Sequence, residues 1–248
     1  MASKPEEELL TSIICTTGDL LLVAKDESGA VKAQYRVSSK VVVQSSGYYQ
    51  KLLASQFSEG VRFRQESEQL LAKYGDDLVK VDLSELPSLS LPLPIGFTRI
   101  EVILTAFKLF LQCVHQEKLT KLEEKEGDWI LIRLSSDIDL FAHVVAIADQ
   151  LDAAIVIKHV AEDILQGQPM CTKKPLKGDQ DSERYWRQLL YVAYVQKQAE
   201  VFKWISGSMI LHGFDTVDDR EPEAPWMNLP NYIEGMIHLS RTVKVQNT

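Results

Sequence analysis

Cysteine is scarce in this chain, and its spacing suits no crosslink or metal framework. The 248 residues include 3 cysteines, Cys15, Cys113 and Cys171, an odd number at wide and irregular intervals. That pattern fits neither a disulfide scaffold nor a zinc site and reads as reduced thiols. Basic charge is short as well, with 27 Lys and Arg against 35 Asp and Glu and a net charge of −8. No global positive field draws the chain to phosphates, so nucleic acid is not expected as a direct ligand. No run approaches the roughly 20 apolar residues of a membrane span. Glu6, Glu7 and Glu8 stand where a secretory signal needs a basic start. The expectation is an intracellular protein, cytoplasmic or nuclear, with no membrane contact. What is present, 45% hydrophobic and 25% charged residues with 12 Gly and 9 Pro, belongs to ordinary globular proteins.

Catalytic signatures are missing too. Neither G-x-G-x-x-G nor G-x-x-x-x-G-K-[ST] occurs, so no dinucleotide or phosphate cradle is encoded in the usual way. Ser206-Gly207-Ser208 lacks the flanking glycines of a nucleophile elbow. Among His115, His143, His159, His212 and His238 no two sit four residues apart, the spacing that would put two imidazoles on one metal. Cys113 and His115 point about 200° apart on a helix, which reads as a buried thiol beside an exposed imidazole. The acids within 117–128 interleave with Lys118, Lys121 and Lys125, a solvated charged face. The aromatics at Tyr185, Trp186, Phe202 and Trp204 have helical spacing and read as core packing before they read as a ligand cage. No catalytic residue, cofactor or metal is assigned.

The organisation is α+β. Leu20 to Val23, turn residues from Asp26 to Gly29, and the alternation of Val31, Ala33, Tyr35 and Val37 predict a hairpin. Two short helices follow, over Ser38–Gln44 and Gly47–Ser55, then a helix from Gln65 to Tyr74 stopped by Gly75. Val79, Val81 and Leu83 alternate as a third strand, and no helix crosses the segment holding Pro87, Pro92 and Pro94. Thr98 to His115 is helical with one polar stripe at Glu101, Thr105, Lys108 and Gln112. Ser136 with Asp139 forms a capping box for an apolar helix to Gln150, and Asp152 can cap the next one, to Leu165. A Lys-, Gly- and Pro-containing linker separates these from two amphipathic helices, one carrying Tyr185, Trp186, Leu189, Leu190, Ala193 and Tyr194. The other carries Val201, Phe202, Trp204, Ile205, Met209 and Ile210, and the two are expected to pair. Asp215 to Pro225 reads as a loop and Tyr232 to Leu239 as a last short helix.

The first 165 residues resemble a BTB/POZ domain, with the relevant words in the family's order. Gly18-Asp19-Leu20-Leu21-Leu22-Val23 is similar to the family's first strand, and Tyr35-Arg36-Val37-Ser38-Ser39-Lys40-Val41-Val42 followed by Ser46-Gly47-Tyr48-Tyr49 to its next run. Phe57-Ser58-Glu59-Gly60 resembles its hydrophobic-x-Glu turn. The segments from Val144 to Asp152 and from Ala161 to Leu165 resemble its last two helices. Ser38 stands where the family usually has His and Gly47 where Pro is common, and the helical tail makes the chain most similar to the divergent BTB proteins of filamentous fungi.

The resemblance implies a BTB/POZ fold over 15–166, a small three-stranded mixed sheet flanked by a helical cluster, then a linker over 167–181 and a C-terminal helical extension over 182–248. It implies recognition without catalysis: a self-associating or scaffolding protein-interaction module, with a substrate adaptor of a cullin ubiquitin ligase as the alternative. The partners implied are a second copy of the chain, a cullin scaffold, and a target protein held by the C-terminal helices. Phe57 would anchor a partner pocket with Glu59 setting the register, or else Phe57 caps the domain's own core. Leu9, Leu10, Ile13 and Ile14 form an apolar patch suited to a dimer interface, or belong to a flexible tail. Asp19 matches the pocket aspartate of transcription-factor members, but Ser39 occupies the Arg position, so a carboxylate bonding nearby backbone or hydroxyl groups is the competing reading.

Overall fold

Alternating apolar residues on either side of a polar turn build the sheet. The computed structural model describes residues 9–26, 28–54, 56–92, 100–116, 134, 137–167, 180–212, 224, 229–230 and 233. In it β2 (Leu20–Lys25) and β3 (Val31–Val37) form the expected antiparallel hairpin. Asp26 makes the turn, its Oδ1 accepting from the backbone N–H groups of Ser28 at 2.9 Å and Ala30 at 3.0 Å. Gly29 takes the positive φ of 83° that a side chain would oppose. Two strands join in parallel, β1 (Leu10–Ile13) on β3 and β4 (Ser88–Ser90) on β2, giving the order β1-β3-β2-β4.

The mixed sheet therefore has four strands where three were expected, and the expected third strand is elsewhere. The stretch with alternating Val79, Val81 and Leu83 forms two single 3₁₀ turns, Leu78–Lys80 and Leu83–Glu85. Asp82 Oδ1 accepts from the Ser84 N–H at 2.9 Å, and Arg36 takes the carbonyls of Leu78 and Val81. Backbone groups that a ladder would use are thus engaged locally. The strand forms at Ser88–Ser90 instead, where Leu89 is buried and the prolines at 87 and 92 limit its length. One sheet face, carrying Leu20, Leu22, Ala24, Ala33, Tyr35 and Val37, is sealed. The other is partly covered, Leu21 and Val23 packing with Leu70, Val81 and Leu86.

Helices α1 (Ser39–Ser45) and α2 (Gly47–Leu52) follow the hairpin. Next, α3 (Ser58–Tyr74) starts seven residues before the expected Gln65. Gly60, a poor helix former, sits inside it because a Cβ there would lie 2.2 Å from the Ala54 carbonyl oxygen. The helix stops at Gly75, with φ 58°, as expected. The polar stripe of α4 (Ile100–Gln116) is the least buried part of that helix, as its periodicity predicts. At α5 (Ile138–Gln150) the cap is Asp137, whose Oδ1 accepts from the Leu140 N–H at 3.1 Å; Ser136 lies outside the described residues. Asp152 is no cap. It has φ 52°, its carbonyl accepts from the Gly47 N–H at 3.1 Å, and a 3₁₀ turn at Ala154–Ile157 separates it from α6 (Lys158–Gly167). Helices α7 (Gln180–Val195) and α8 (Ala199–His212) pack on each other as expected, and α7 also packs on α5.

Two compact units divide the chain. One holds the sheet, α1 to α3, α4 from Phe107 onward, and Leu151–Ala153; the other holds the start of α4 and helices α5 to α8. The charged segment at 117–128, the linker residues 168–179 with Cys171, the loop from Asp215 apart from Ala224, and the helix expected from Tyr232 apart from Ile233 lie outside the described residues. Among the described residues no helix is long and apolar enough to cross a membrane.

Candidate interaction surface

Phe57 occupies a position that its chemistry does not suit. It is the N-cap residue of α3, in extended conformation, and donates no side-chain acceptor to the helix end, where Ser, Thr, Asp or Asn is usual. Its backbone is fixed on both sides, the N–H donating to the Ala54 carbonyl at 3.2 Å and the C=O accepting from Val61 at 3.0 Å. The close approach of Gly60 presses this first turn onto Leu53 and Ala54. With the backbone so held, the Phe57 ring is 43% exposed and Val61, one turn on, is 42% exposed.

Glu59 stands in the first turn of α3 and supplies the helix end with the charge that Phe57 cannot. Its carboxyl is held below the usual glutamate value first by its own backbone N–H and then by the Ser58 hydroxyl, which donates to Oε2 at 2.9 Å. It is therefore an ionised acceptor next to an exposed aromatic ring.

The N-terminal patch is an edge strand. β1 pairs with β3 from Leu10↔Ala33 to Ile13↔Arg36, and the N–H groups of Ile14 and Cys15 both donate to the Arg36 carbonyl. Ile14 is half-buried, whereas Leu9, Leu10 and Ile13 stay exposed, Ile13 at 57%. A sheet edge with exposed aliphatic side chains is a template for association.

Asp19 is engaged within its own unit. Its Oδ1 accepts from the Ser39 N–H at 2.7 Å and its Oδ2 from the Ser39 hydroxyl at 2.6 Å, so both oxygens serve the start of α1. Neither family models, curated proteins nor solved structures match this chain.

Two buried polar groups were not foreseen from sequence. Arg36 alternates with the apolar residues of β3, yet it is only 4% exposed: Nε donates to the Gly18 carbonyl at 3.0 Å, and the other nitrogens to the carbonyls of Val81 and Leu78. His115, expected to be exposed, is buried with Cys113. Its Nδ1 is 2.8 Å from the Leu111 carbonyl and its Nε2 accepts from the Ser38 N–H at 3.1 Å, an arrangement that places the ring proton on Nδ1. In the helical unit the aromatics pack between α7 and α8, with Trp186 and Trp204 5.3 Å apart. Cys15 and Cys113 form no disulfide among the described residues.

Proposed function

We propose that this chain is a protein–protein interaction module of BTB type, a recognition protein without catalysis that self-associates and scaffolds a partner. The observation that carries the reading is Phe57: a large ring at an N-cap, fixed by its backbone, 43% exposed, and making no helix cap. Such a residue is retained at a cost to solubility, and the usual return is a filled pocket on a partner. Glu59 beside it gives a charged acceptor that sets register. The exposed aliphatics of β1 supply the surface for a second copy of the chain.

The adjacency of Phe57 and ionised Glu59 also favours the narrower reading, an adaptor that binds a cullin scaffold and holds a target through α7 and α8. Both readings suit an intracellular setting, cytoplasmic or nuclear. Titration calorimetry against the N-terminal half of a BTB-binding cullin tests the adaptor. Micromolar or tighter binding, weakened about tenfold or more by Phe57→Ala in a folded variant, supports it; no binding by the folded wild type removes it. Light-scattering mass of wild type and Ile13→Asp tests self-association, the expectation being a dimer that the aspartate turns into a monomer.

A further inference from the structure

The second face of the sheet is left partly open, and the opening has its own chemistry. Where the packing of Leu21 and Val23 against α3 and the 3₁₀ turns ends, a cleft of about 340 Å³ begins, with Val23 and Val31 among its apolar lining and Ser88 and Ser90 along β4. Two cations, Lys25 and Arg62, also line it, and no acidic residue does. Arg62 Nε lies 3.7 Å from Glu66, and its NH2 donates to the Ser88 carbonyl at 3.0 Å. Lys25 has no ion-pair partner among the described residues. In a chain of net charge −8 this is a local site of the opposite sign.

The outer edge of β4 borders the same cleft. In its parallel ladder with β2, Leu21 N–H donates to the Pro87 carbonyl and Leu91 N–H donates to the Val23 carbonyl. Ser88 and Ser90, at alternate positions, turn their backbone groups away from β2. Arg62 takes the Ser88 carbonyl, while the N–H and C=O of the exposed Ser90 have no partner among the described residues. A strand edge so short cannot hold a chain by itself. An apolar lining and two cations beside it supply what backbone pairing lacks.

We propose that this cleft is a docking site for an extended acidic peptide segment of a partner protein, which pairs with the outer edge of β4. The peptide sets an apolar side chain across Ser90 toward Val23, its paired neighbour on β2, and a carboxylate against Lys25 and Arg62. Main-chain pairing gives affinity and the alternating side chains give selectivity, the division of labour of strand addition. This site is separate in its chemistry from the Phe57 anchor and does not depend on a BTB assignment.

Fluorescence polarisation with the full chain tests it, using labelled octapeptides that alternate Glu with Val, Leu or Phe, the same peptides with Lys in place of Glu, and copies N-methylated at alternate amides. The expected result is saturable binding of the acidic series alone, lost on N-methylation and weakened at least tenfold in the Lys25→Glu/Arg62→Glu variant, whose exposed positions leave the fold intact by circular dichroism. Ser90→Pro, which deletes the outward N–H, is expected to weaken binding in the same assay more than Ser90→Ala, which removes the hydroxyl alone. The proposal is overturned if no acidic peptide binds, if the Lys series binds equally well, or if binding survives N-methylation or the double charge reversal.

Discussion

Arg36 and His115, buried in the sheet unit, are held by backbone, whereas Arg187 and Gln188, buried in the helical unit, are held by side chains. Arg36 spends its guanidinium on the carbonyls of Gly18, Leu78 and Val81, and His115 bridges the Ser38 N–H and the Leu111 carbonyl. On α7 the buried Gln188 donates to Asp139 Oδ1 at 2.7 Å, Arg184 donates to the same oxygen at 2.8 Å, and the buried Arg187 meets Glu183 at 3.1 Å. The difference follows from the backbone each unit contains. Most helix carbonyls already accept a backbone N–H, so Arg187 and Gln188 turn to side chains, while His143 shares the Asp139 carbonyl of its own helix at 2.6 Å. Beside the sheet, the 3₁₀ turn at Leu78–Lys80 and its end at Val81 offer carbonyl lone pairs that a long cationic side chain takes.

Arg36→Met would break the first of these arrangements most severely. The carbonyls of Gly18 and Val81 would lose the guanidinium donor, at about 1–3 kcal/mol for each acceptor left buried, while that of Leu78 would keep the Val81 N–H; the apolar replacement and water reaching some of them offset part of the loss. We expect a net loss of about 3 kcal/mol or more, measured as a fall in the urea midpoint, with hydrogen exchange accelerating first around Leu78 to Val81. An equal acceleration throughout α7 would mean that Arg36 does not act locally.

Asp139→Ala is the matching test in the helical unit and should be milder. It leaves the buried Gln188 amide without this acceptor and removes one partner of Arg184, whose side chain is only partly buried and reaches water. The expected loss is about 1–3 kcal/mol, and Asp139→Asn, which keeps an acceptor oxygen, should recover part of it. Recovery by Asn argues for hydrogen bonding, and its absence argues for charge.

These two sites also mark where sequence reading stopped. The hairpin, the Gly75 stop of α3 and the stripe of α4 were legible, because each follows from a local rule of turn chemistry or from a periodicity that the burial repeats. The burial of Arg36 was not, since it alternates with the apolar residues of β3 and is enclosed by distant Leu78 and Val81. The same distant contacts turned an apparent strand at 79–83 into 3₁₀ turns, while the true fourth strand is three residues between prolines and too short to show a pattern. On α7, amphipathicity assigned Tyr194 to the packed face, yet it is 36% exposed whereas Arg187 and Gln188 are buried. Pairing partners 4 and 49 residues away decided that, and no window along the chain contains both. Of the interaction surface, Phe57 and Glu59 were legible as a word, but the partial exposure of Phe57 was not, because it depends on how Gly60 seats the first turn of α3 against Ala54.

The smallest effect separates both buried arrangements from a surface one. Glu85 accepts from Lys73 and, at 2.8 Å, from the Tyr74 hydroxyl; these bonds, the lysine's first, hold its carboxyl below the usual 4.5. A carboxyl whose value is lower in the folded state contributes stability that is fully present above 4.5 and is lost as pH falls through the folded value. Lys73, raised from its ordinary 10.5 chiefly by the same bond, contributes stability present below 10.5 and lost only at higher pH. The urea midpoint of Glu85→Gln should therefore lie slightly below wild type by a constant amount between these limits and converge with it in acid. Both side chains are exposed, so added salt should shrink the difference. A pair that closes no carbonyl and buries no amide has only this screened term. If Glu85→Gln instead fell as far as Asp139→Ala, burial could not be what sets the order of the three sites.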